Sequence, residues 1–296
     1  MKNVIVGIGE ILWDVFPEGK ILGGAPANFA YHIAQFGFEG VAVSAVGNDE
    51  LGKEIHESLA EKQLKHILEI TGYPTGTVQV TLNHSGVPQY EICENVAWDY
   101  IPLTPETEAL AKSAKAVCFG SLAQRNDYSK KTINSFLDLM PDDSYKIFDI
   151  NLRQHFYSKA LIHQSLLKCN ILKINDDEVI AVSSLFDGTN KTETEVCETL
   201  LSVYNLDIVI LTKGTEGSLV MTKTEKSYLE TPKVIVADTV GAGDSFTAGF
   251  IAALLHGASI QKAHQLAVEV SAYVCTQNGA MPKFPDSLVH LLEFHG

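Results

Sequence analysis

Short apolar segments of strand length recur along the chain, and each is separated from the next by a segment long enough for a helix. Between the first two lies APANFAYHIAQFG, a predicted helix with Pro26 in its first turn and Gly37 just past its end. This alternation predicts an α/β fold with a doubly wound, mostly parallel sheet and helices on both faces. A chain of 296 residues suffices for one such domain with a small addition. The predicted strands are KNVIVGIG, GVAVSAVG, AKAVCFG, YKIFDIN, CNILKIN and DIVILTKG.

Two segments, residues 10–22 and 76–101, break this alternation. They contain short alternating runs joined by turns such as His84-Ser85-Gly86, with no helix-length pattern between the runs. They predict the antiparallel strands of a small β-sheet lid over the carboxyl ends of the main strands, where open α/β sheets bind ligands. The main domain is predicted from the remaining residues, 1–9, 23–75 and 102–296.

The charge and the cysteines of the chain argue against several classes of protein. A net charge of -14 disfavours a nucleic-acid or anionic-membrane surface, since both need clustered Lys and Arg. No apolar run approaches the length of a membrane span, and the N-terminus lacks the long apolar core of a secretion signal. Five scattered cysteines without a C-x-x-C pair indicate free thiols, so a cytoplasmic location is expected.

The stretch DTVGAGDSFTAGF, residues 238–250, places glycines before and inside an apolar, helical run. Backbone N–H groups from Gly241 to Asp244 would point into a concavity at the start of this helix, where the helix dipole favours an anion. Neither familiar phosphate motif fits, because G-x-G-x-x-G needs glycine where Phe246 stands and a Walker A loop needs a lysine that is absent here. The glycines therefore predict a phosphate pocket of another kind.

Asp244 stands at the mouth of that pocket, where it would repel a phosphate. Two unit charges about 4 Å apart repel by about 4 kcal/mol at an effective dielectric of 20, whereas a helix N-terminus returns about 0.3–2 kcal/mol. A carboxylate that faces a hydroxyl instead can accept its proton, while the N–H groups stabilise a transferring phosphoryl group. The residues alone leave an alternative, which is an ordinary glycine turn with an aspartate that caps the helix.

Residues 23–52, GGAPANFAYHIAQFGFEGVAVSAVGNDELG, and residues 238–246, DTVGAGDSF, together resemble the two motifs of the ribokinase-like carbohydrate kinases. The order and spacing of the motifs and the length of the chain are also similar to that family. The resemblance implies a Rossmann-like domain with a small β-sheet lid that binds ATP, Mg²⁺ and a sugar. It further implies that Asp244 is the catalytic base, that the amides of Gly241, Ala242 and Gly243 form an anion hole, and that sugar hydroxyls bind Asp14, Gly23, Gly24 and Asn28.

Further matches carry the nucleotide and metal positions of the family. KINDDE contains an N-x-x-E motif, which implies that Asn175 and Glu178 organise Mg²⁺ and phosphate, largely through water. LTKGTEGS resembles the nucleotide-binding turn, and TQNGA resembles the segment that lines the adenine pocket. The implied nucleotide contacts are Thr212, Gly214, Gly217 and Asn278, and the implied carbonyl ligands of a monovalent cation such as K⁺ are Asp238, Val240 and Gly279.

Three segments, GGAPAN, FGSLAQR and NVAWDYIPLTPE, are similar to those of fructokinases within this family. Ala25 replaces the lysine that kinases of phosphorylated sugars often carry after the glycines, which favours a neutral sugar. The resemblance therefore implies transfer of the γ-phosphoryl group of ATP to fructose, with fructose 6-phosphate as the product. Strand alternation in the lid is expected to turn Gln79, Tyr90, Ile92 and Trp98 toward the sugar.

Other functions remain open at this point. Arg125, and Arg153 in a DINLR segment where Ile150 replaces the proline of D-P-N-x-R, are candidate substrate contacts that suit an acidic sugar such as 2-keto-3-deoxygluconate. Ribose and nucleosides are further alternative acceptors. Outside the enzymes, the alternative is a sugar-binding protein on the same fold that lacks catalysis. The edge strands of the lid allow a homodimer through it.

Overall fold

The computed structural model describes residues 3–82, 88–186 and 191–295. Its described residues form a nine-stranded main sheet and a four-stranded small sheet. The strands are β1 (Val4–Ile8), β2 (Leu12–Phe16), β3 (Gly19–Gly23), β4 (Glu39–Gly47), β5 (Lys65–Thr71), β6 (Gly76–Leu82), β7 (Pro88–Ile92), β8 (Ala114–Phe119), β9 (Tyr145–Asp149), β10 (Ile171–Asn175), β11 (Ile208–Thr212), β12 (Ser218–Met221) and β13 (Lys226–Leu229). The helices are α1 (Ala25–Gln35), α2 (Glu50–Glu61), α3 (Pro105–Ser113), α4 (Asp127–Leu139), α5 (Lys159–Leu166), α6 (Asp176–Leu185), α7 (Glu193–Val203), α8 (Ala242–Leu255), α9 (Ile260–Cys275) and α10 (Asp286–His295).

The main sheet has the order β13-β12-β11-β10-β9-β8-β1-β4-β5. All neighbours from β11 to β5 are parallel, and β12 and β13 add an antiparallel edge. The predicted mostly parallel sheet is therefore confirmed, although the sequence pattern did not reveal β5, β12 or β13. β5 and β13 are the two edge strands, where partial burial replaces the continuous apolar run that marks a buried parallel strand, and β12 is a four-residue strand between β11 and β13.

Helices cover both faces of the main sheet. One layer contains α1, α8, α9 and α10, whose apolar side chains share a cluster with Ile5 of β1 and Ile210 of β11. On the other face, side chains of α4 to α7 pack with Val6 of β1 and Leu172 of β10. The contact between α1 and α8 is the one that matters for function, because it brings residues far apart in the chain to one place.

The small sheet has the order β3-β2-β6-β7. It contains both parallel and antiparallel pairs, whereas the sequence predicted an antiparallel sheet. Its two hairpins are antiparallel, but β2 pairs with β6 in parallel. The reason is topological: β2 follows β1 and β6 follows β5, and since β1 and β5 run in the same direction, the strands that continue from them do so too.

Residues 97–101 were included in the lid from the sequence, but they pack against the main domain. Residues Ala97–Tyr100 form a short 3₁₀ turn in contact with β4, β5 and α4. Trp98 and Ile101 are fully buried there, in the same apolar cluster as strands β1 and β4. Within the described ranges, no helix is long and apolar enough to cross a membrane.

Candidate active site

A cavity of about 1230 Å³ lies between the carboxyl ends of the main strands, the small sheet and the start of α8. Its wall includes Glu10, two residues after β1, together with Asp149, Asn175 and Thr212 at the ends of β9, β10 and β11. Ligands of open α/β sheets bind at this edge, because the connections at the carboxyl ends diverge and leave a crevice.

The glycines that precede and begin α8 are required by close packing. Gly241 has a φ of 78°, and a Cβ atom there would lie 2.8 Å from Ala280. A Cβ atom at Gly243 would lie 2.9 Å from Nζ of Lys173. The first backbone hydrogen bond within the helix runs from the N–H of Ser245 to the carbonyl of Gly241. The N–H groups of Gly243 and Asp244 therefore have no acceptor within the helix and are available to an anion, whereas the N–H group of Ala242, which was predicted to be part of the anion hole, donates to the carbonyl of Thr239 over 3.3 Å.

Asp244 is half-buried in the first turn of α8 and lines the cavity. Asn28 of α1 donates a hydrogen bond from Nδ2 to Oδ2 of Asp244 over 2.8 Å. Burial, and then the Asp149 carboxylate, raise the pKa of Asp244 to about 6, against the opposing effects of Asn28, Lys173 and Arg153. At neutral pH the side chain is therefore mainly an ionised carboxylate, and its basicity is higher than that of an exposed aspartate.

A buried ion pair lies beneath the start of α8. Nζ of Lys173 is 3.1 Å from Oδ1 of Asp149, and both side chains are at least 91% buried. The Thr247 hydroxyl donates to Oδ2 of Asp149 over 3.2 Å. Burial by itself lowers the pKa of Lys173, but the carboxylates of Asp149, Glu178 and Asp244 raise it above the ordinary value. Lys173 is thus a fixed positive charge directly behind Gly243.

Neither Asp149 nor Lys173 was among the predicted site residues, although both stand inside the motifs DINLR and KINDDE. The available signal was that each is a charged residue within a strand, Asp149 at the end of β9 and Lys173 in the middle of β10, and that the two strands are neighbours. Glu10 was also missed. It follows β1, is 3% exposed and lines the cavity.

The end of the cavity between the small sheet and α1, here called the sugar end, collects most of the predicted sugar-binding residues. Gly24 has a φ of 127°, and a Cβ atom there would lie 2.6 Å from the carbonyl oxygen of Glu10, so only glycine lets the chain pass. Burial raises the pKa of Asp14, while Arg153 lowers it. The predicted residues in this part of the wall are Asp14, Gly23, Gly24, Asn28, Ile92 and Arg153.

Three predicted substrate contacts, Gln79, Trp98 and Arg125, are not in the wall of the cavity. Gln79 lies on the face of β6 opposite to Val78 and Val80, which are buried, and Val78 is the residue that lines the cavity. For β6 the inferred alternation was wrong by one residue, which exchanges the two faces of a strand, whereas Ile92 of β7 lines the cavity as predicted. Tyr90 pairs with Val80 across β6 and β7, and its side chain lies outside the described part of the chain.

The other two, Trp98 and Arg125, form a buried unit with Asp99. The guanidinium of Arg125 lies 4.0 Å from the centre of the Trp98 ring. Its Nε and Nη2 atoms donate to the two carboxylate oxygens of Asp99 over 2.7 and 2.9 Å. The charge of Arg125 is therefore paired inside the main domain, and Arg153 is the predicted arginine that reaches the cavity.

The opposite end of the cavity contains the predicted nucleotide residues Thr212, Gly214 and Gly217, together with Asn175 and Glu178. Asn175 and Glu178 form a reciprocal cap at the start of α6. Oδ1 of Asn175 accepts from the N–H of Glu178 over 2.8 Å, and Oε2 of Glu178 accepts from the N–H of Asn175 over 2.9 Å. Oε1 accepts from the N–H of Leu152 over 3.1 Å, so the end of β10 and the segment after β9 together hold the Glu178 carboxylate in place.

The residues predicted to hold a monovalent cation are joined through Asp238. Its Oδ1 accepts from the N–H of Val240 over 3.0 Å, and its Oδ2 accepts from the N–H of Gly279 over 3.1 Å. Val240 lines the cavity, but Asp238 and Gly279 are not among the residues of its wall. Asn278, predicted to contact the adenine, is exposed and is also not in the wall.

Free N–H groups for an anion, a carboxylate of raised pKa beside them and polar side chains that can bind a hydroxylated molecule fit a phosphotransferase that acts on an alcohol group. The pfkB family carbohydrate kinase profile matches residues 15–287. The chain therefore belongs to the pfkB family of carbohydrate kinases, and it is a sugar kinase.

Individual relatives span nearly the whole chain. The ATP-dependent 6-phosphofructokinase of Thermoanaerobacterium thermosaccharolyticum is 29% identical, over 96% of this chain and 92% of the relative. The fructokinase of Salmonella typhimurium is 25% identical, over 94% of this chain and 95% of the relative. Among solved structures, the Vibrio cholerae O395 fructokinase with fructose, ADP and potassium ion bound has a TM-score of 0.81 at 22% identity, covering 99% of this chain and 98% of that one.

Proposed function

We propose that the protein transfers the γ-phosphoryl group of ATP to a primary hydroxyl of a neutral sugar, with fructose as the acceptor and fructose 6-phosphate as the product. The observation that carries the proposal is the position of Asp244. Its carboxylate lies in the first turn of α8 beside N–H groups that have no acceptor within the helix, and it is held by Asn28 at the sugar end of the cavity.

In this reaction Asp244 accepts the proton of the attacking hydroxyl. The hydroxyl oxygen forms a bond to the γ-phosphorus as the bond from that phosphorus to the oxygen bridging to the β-phosphate breaks, and ADP leaves with that oxygen. The N–H groups of Gly243 and Asp244 donate to the oxygens of the transferring group, and the Lys173 charge behind Gly243 supports them. The base and the anion donors belong to one helix turn, so the hydroxyl and the phosphate meet in fixed geometry.

The nucleotide is proposed to bind along Thr212, Gly214 and Gly217. The residues here fit a hydrated Mg²⁺ ion, because the buried Glu178 carboxylate already accepts two backbone N–H groups and retains lone pairs that bind metal-bound water. Mg²⁺ would neutralise charge on the phosphates. Asp238 draws the backbones of Val240 and Gly279 together, which supports a K⁺ ion bound by carbonyls near them.

The charge of the sugar end supports a neutral acceptor. Glu10, Asp14 and Asp244 bring carboxyl groups to it, whereas Arg153 brings a guanidinium. Ala25, which lines the same region, leaves no ammonium group for a substrate phosphate. A homodimer through the small sheet is also proposed, since β3 and β7 have unpaired edges within the described residues.

Fructose 6-phosphate is the second candidate acceptor. Two observations favour it: the relative from Thermoanaerobacterium thermosaccharolyticum is named a 6-phosphofructokinase, and Arg153 reaches the cavity. 2-keto-3-deoxygluconate is a weaker candidate than the sequence suggested. Arg125 is paired with Asp99, so of the two predicted arginines Arg153 remains to bind the carboxylate of this sugar.

An acceptor screen tests the proposed function. Purified protein is assayed for ATP consumption with fructose, ribose, 2-keto-3-deoxygluconate, adenosine and fructose 6-phosphate, with Asp244→Asn prepared in the same way to reveal contaminating kinases. We expect kcat/KM for fructose to exceed that for each other acceptor by at least about tenfold, a transition-state difference of about 1.4 kcal/mol. A preference for fructose 6-phosphate would replace the substrate, and no turnover above the Asp244→Asn background with any acceptor would overturn the proposal.

The raised pKa of Asp244 predicts the pH dependence. The base works as a carboxylate, so protonation as the pH falls through about 6 removes activity, and kcat/KM for the sugar is expected to fall about tenfold per pH unit below that point. The measurement is kcat/KM over a pH series at saturating ATP and Mg²⁺. A profile that stays flat down to about pH 5 would contradict the assignment of this base.

A further inference from the structure

Glu10 has a buried carboxyl group that takes no part in the proposed phosphoryl transfer. It stands between β1 and β2, where the chain passes from the main sheet to the small sheet, and it is 3% exposed. Its side chain lines the cavity at the sugar end, together with Asp14, Asn28 and Asp244.

The Oε2 atom of Glu10 is buried and finds no hydrogen-bond partner among the described residues. The same is true of Oδ1 of Asn28, whose Nδ2 atom is bound to Asp244. A buried polar atom without a partner costs about 1–3 kcal/mol of stability. Two such acceptor atoms in the wall of one cavity indicate a ligand with several hydroxyl groups.

Three charged groups surround Glu10: Asp244 of α8, Arg153 of the segment after β9, and Arg125 behind the site. Burial is the largest influence, and with Asp244 it raises the pKa of Glu10 to about 7, although its own backbone and both arginines oppose this. Near neutral pH the carboxyl group is therefore present in both forms. The protonated form donates to a hydroxyl oxygen and the ionised form accepts from a hydroxyl, so either form can bind a sugar.

We propose that Glu10 is a further sugar-binding residue, and that its Oε2 atom binds a hydroxyl of the acceptor other than the one that is phosphorylated. This inference rests on the proposed function. The hydroxyl that is phosphorylated contacts Asp244, which lies beside the free N–H groups. Glu10 lies after β1 and binds a different part of the same sugar. Glu10 then selects acceptors that carry a hydroxyl at that point, and it disfavours a phosphate or carboxylate there through its negative form.

The test compares kcat/KM of the wild-type and Glu10→Gln proteins for the accepted sugar and for each of its monodeoxy analogues. With the full sugar, we expect Glu10→Gln to lower kcat/KM about 10-fold to 100-fold, as the loss of a hydrogen bond to an ionisable group does, while KM for ATP stays within about twofold. One analogue lacks the hydroxyl that Glu10 binds. For that analogue kcat/KM of the wild-type protein should be lowered, and Glu10→Gln should lower it further by less than about twofold.

The matched control is Glu61→Gln on the exposed surface of α2, which should leave every acceptor unchanged. An equal loss for every analogue, or a loss that extends to the KM for ATP, would assign Glu10 a structural role and overturn the inference. Should Glu10→Gln fail to fold, Glu10→Asp keeps the carboxyl group at a shorter reach and is read in the same way. If the wild-type protein phosphorylates no sugar, the proposed function fails first, so the two failures are distinguishable.

Discussion

Replacement of Asp244 by Asn is expected to lower kcat by about 100-fold to 10,000-fold, because an amide does not accept the proton of the attacking hydroxyl. Sugar binding is expected to change only a few-fold, since the amide has the shape of the carboxylate and its oxygen can still accept the hydrogen bond from Asn28. Turnover is measured by ATP consumption, and sugar affinity by calorimetry on the same preparation.

Asp143→Asn is the matched control, because Asp143 is an exposed carboxylate paired with Lys115 at the surface. It should leave kcat and sugar affinity within about twofold of wild type. An Asp244→Asn protein that keeps more than about a tenth of the wild-type kcat would remove Asp244 from the role of base. Sugar binding without turnover in the wild-type protein would instead support the catalytically silent sugar-binding protein.

The second large effect is expected from Lys173→Met, which breaks the buried pair with Asp149. The substitution leaves a buried carboxylate without its cation, so the free energy of unfolding should fall by about 3–5 kcal/mol. Activity should fall as well, because Lys173 is the positive charge behind Gly243. Urea unfolding measures the first effect, and kcat under conditions where the variant is folded measures the second.

Two further variants separate stability from catalysis. Asp149→Asn combined with Lys173→Met removes both charges, and it should recover a large part of the lost stability while kcat stays low. Lys65→Met breaks an exposed pair with Glu39 and should cost less than about 1 kcal/mol. A Lys173→Met protein as stable as Lys65→Met would show that the buried pair does not hold this part of the fold together, and a double variant with wild-type kcat would remove Lys173 from phosphoryl transfer.

Much of the fold could be predicted from the sequence. Apolar strands separated by helix-length segments bury both faces of a sheet when the strands are parallel and helices cover each face. The main sheet follows that pattern from β1 to β11. β5 and β13 were missed because these edge strands are only partly buried and their composition is less apolar, and β12 was missed because it has only four residues. The small sheet was located, but its parallel pair depends on where β2 and β6 leave the main sheet, which is a property of topology.

The sequence by itself indicated the start of α8, because a glycine can take the positive φ of Gly241 and the first N–H groups of any helix have no acceptor within it. Only the tertiary structure decided which distant side chains complete the site. Lys173 and Asp149 meet through the pairing of β9 with β10, and Glu10 reaches the cavity at the junction of the two sheets. Gln79, Trp98 and Arg125 were misplaced for the same reason: a shift of one residue in strand register, or a buried partner such as Asp99, turns a side chain away, and neither is encoded in local sequence.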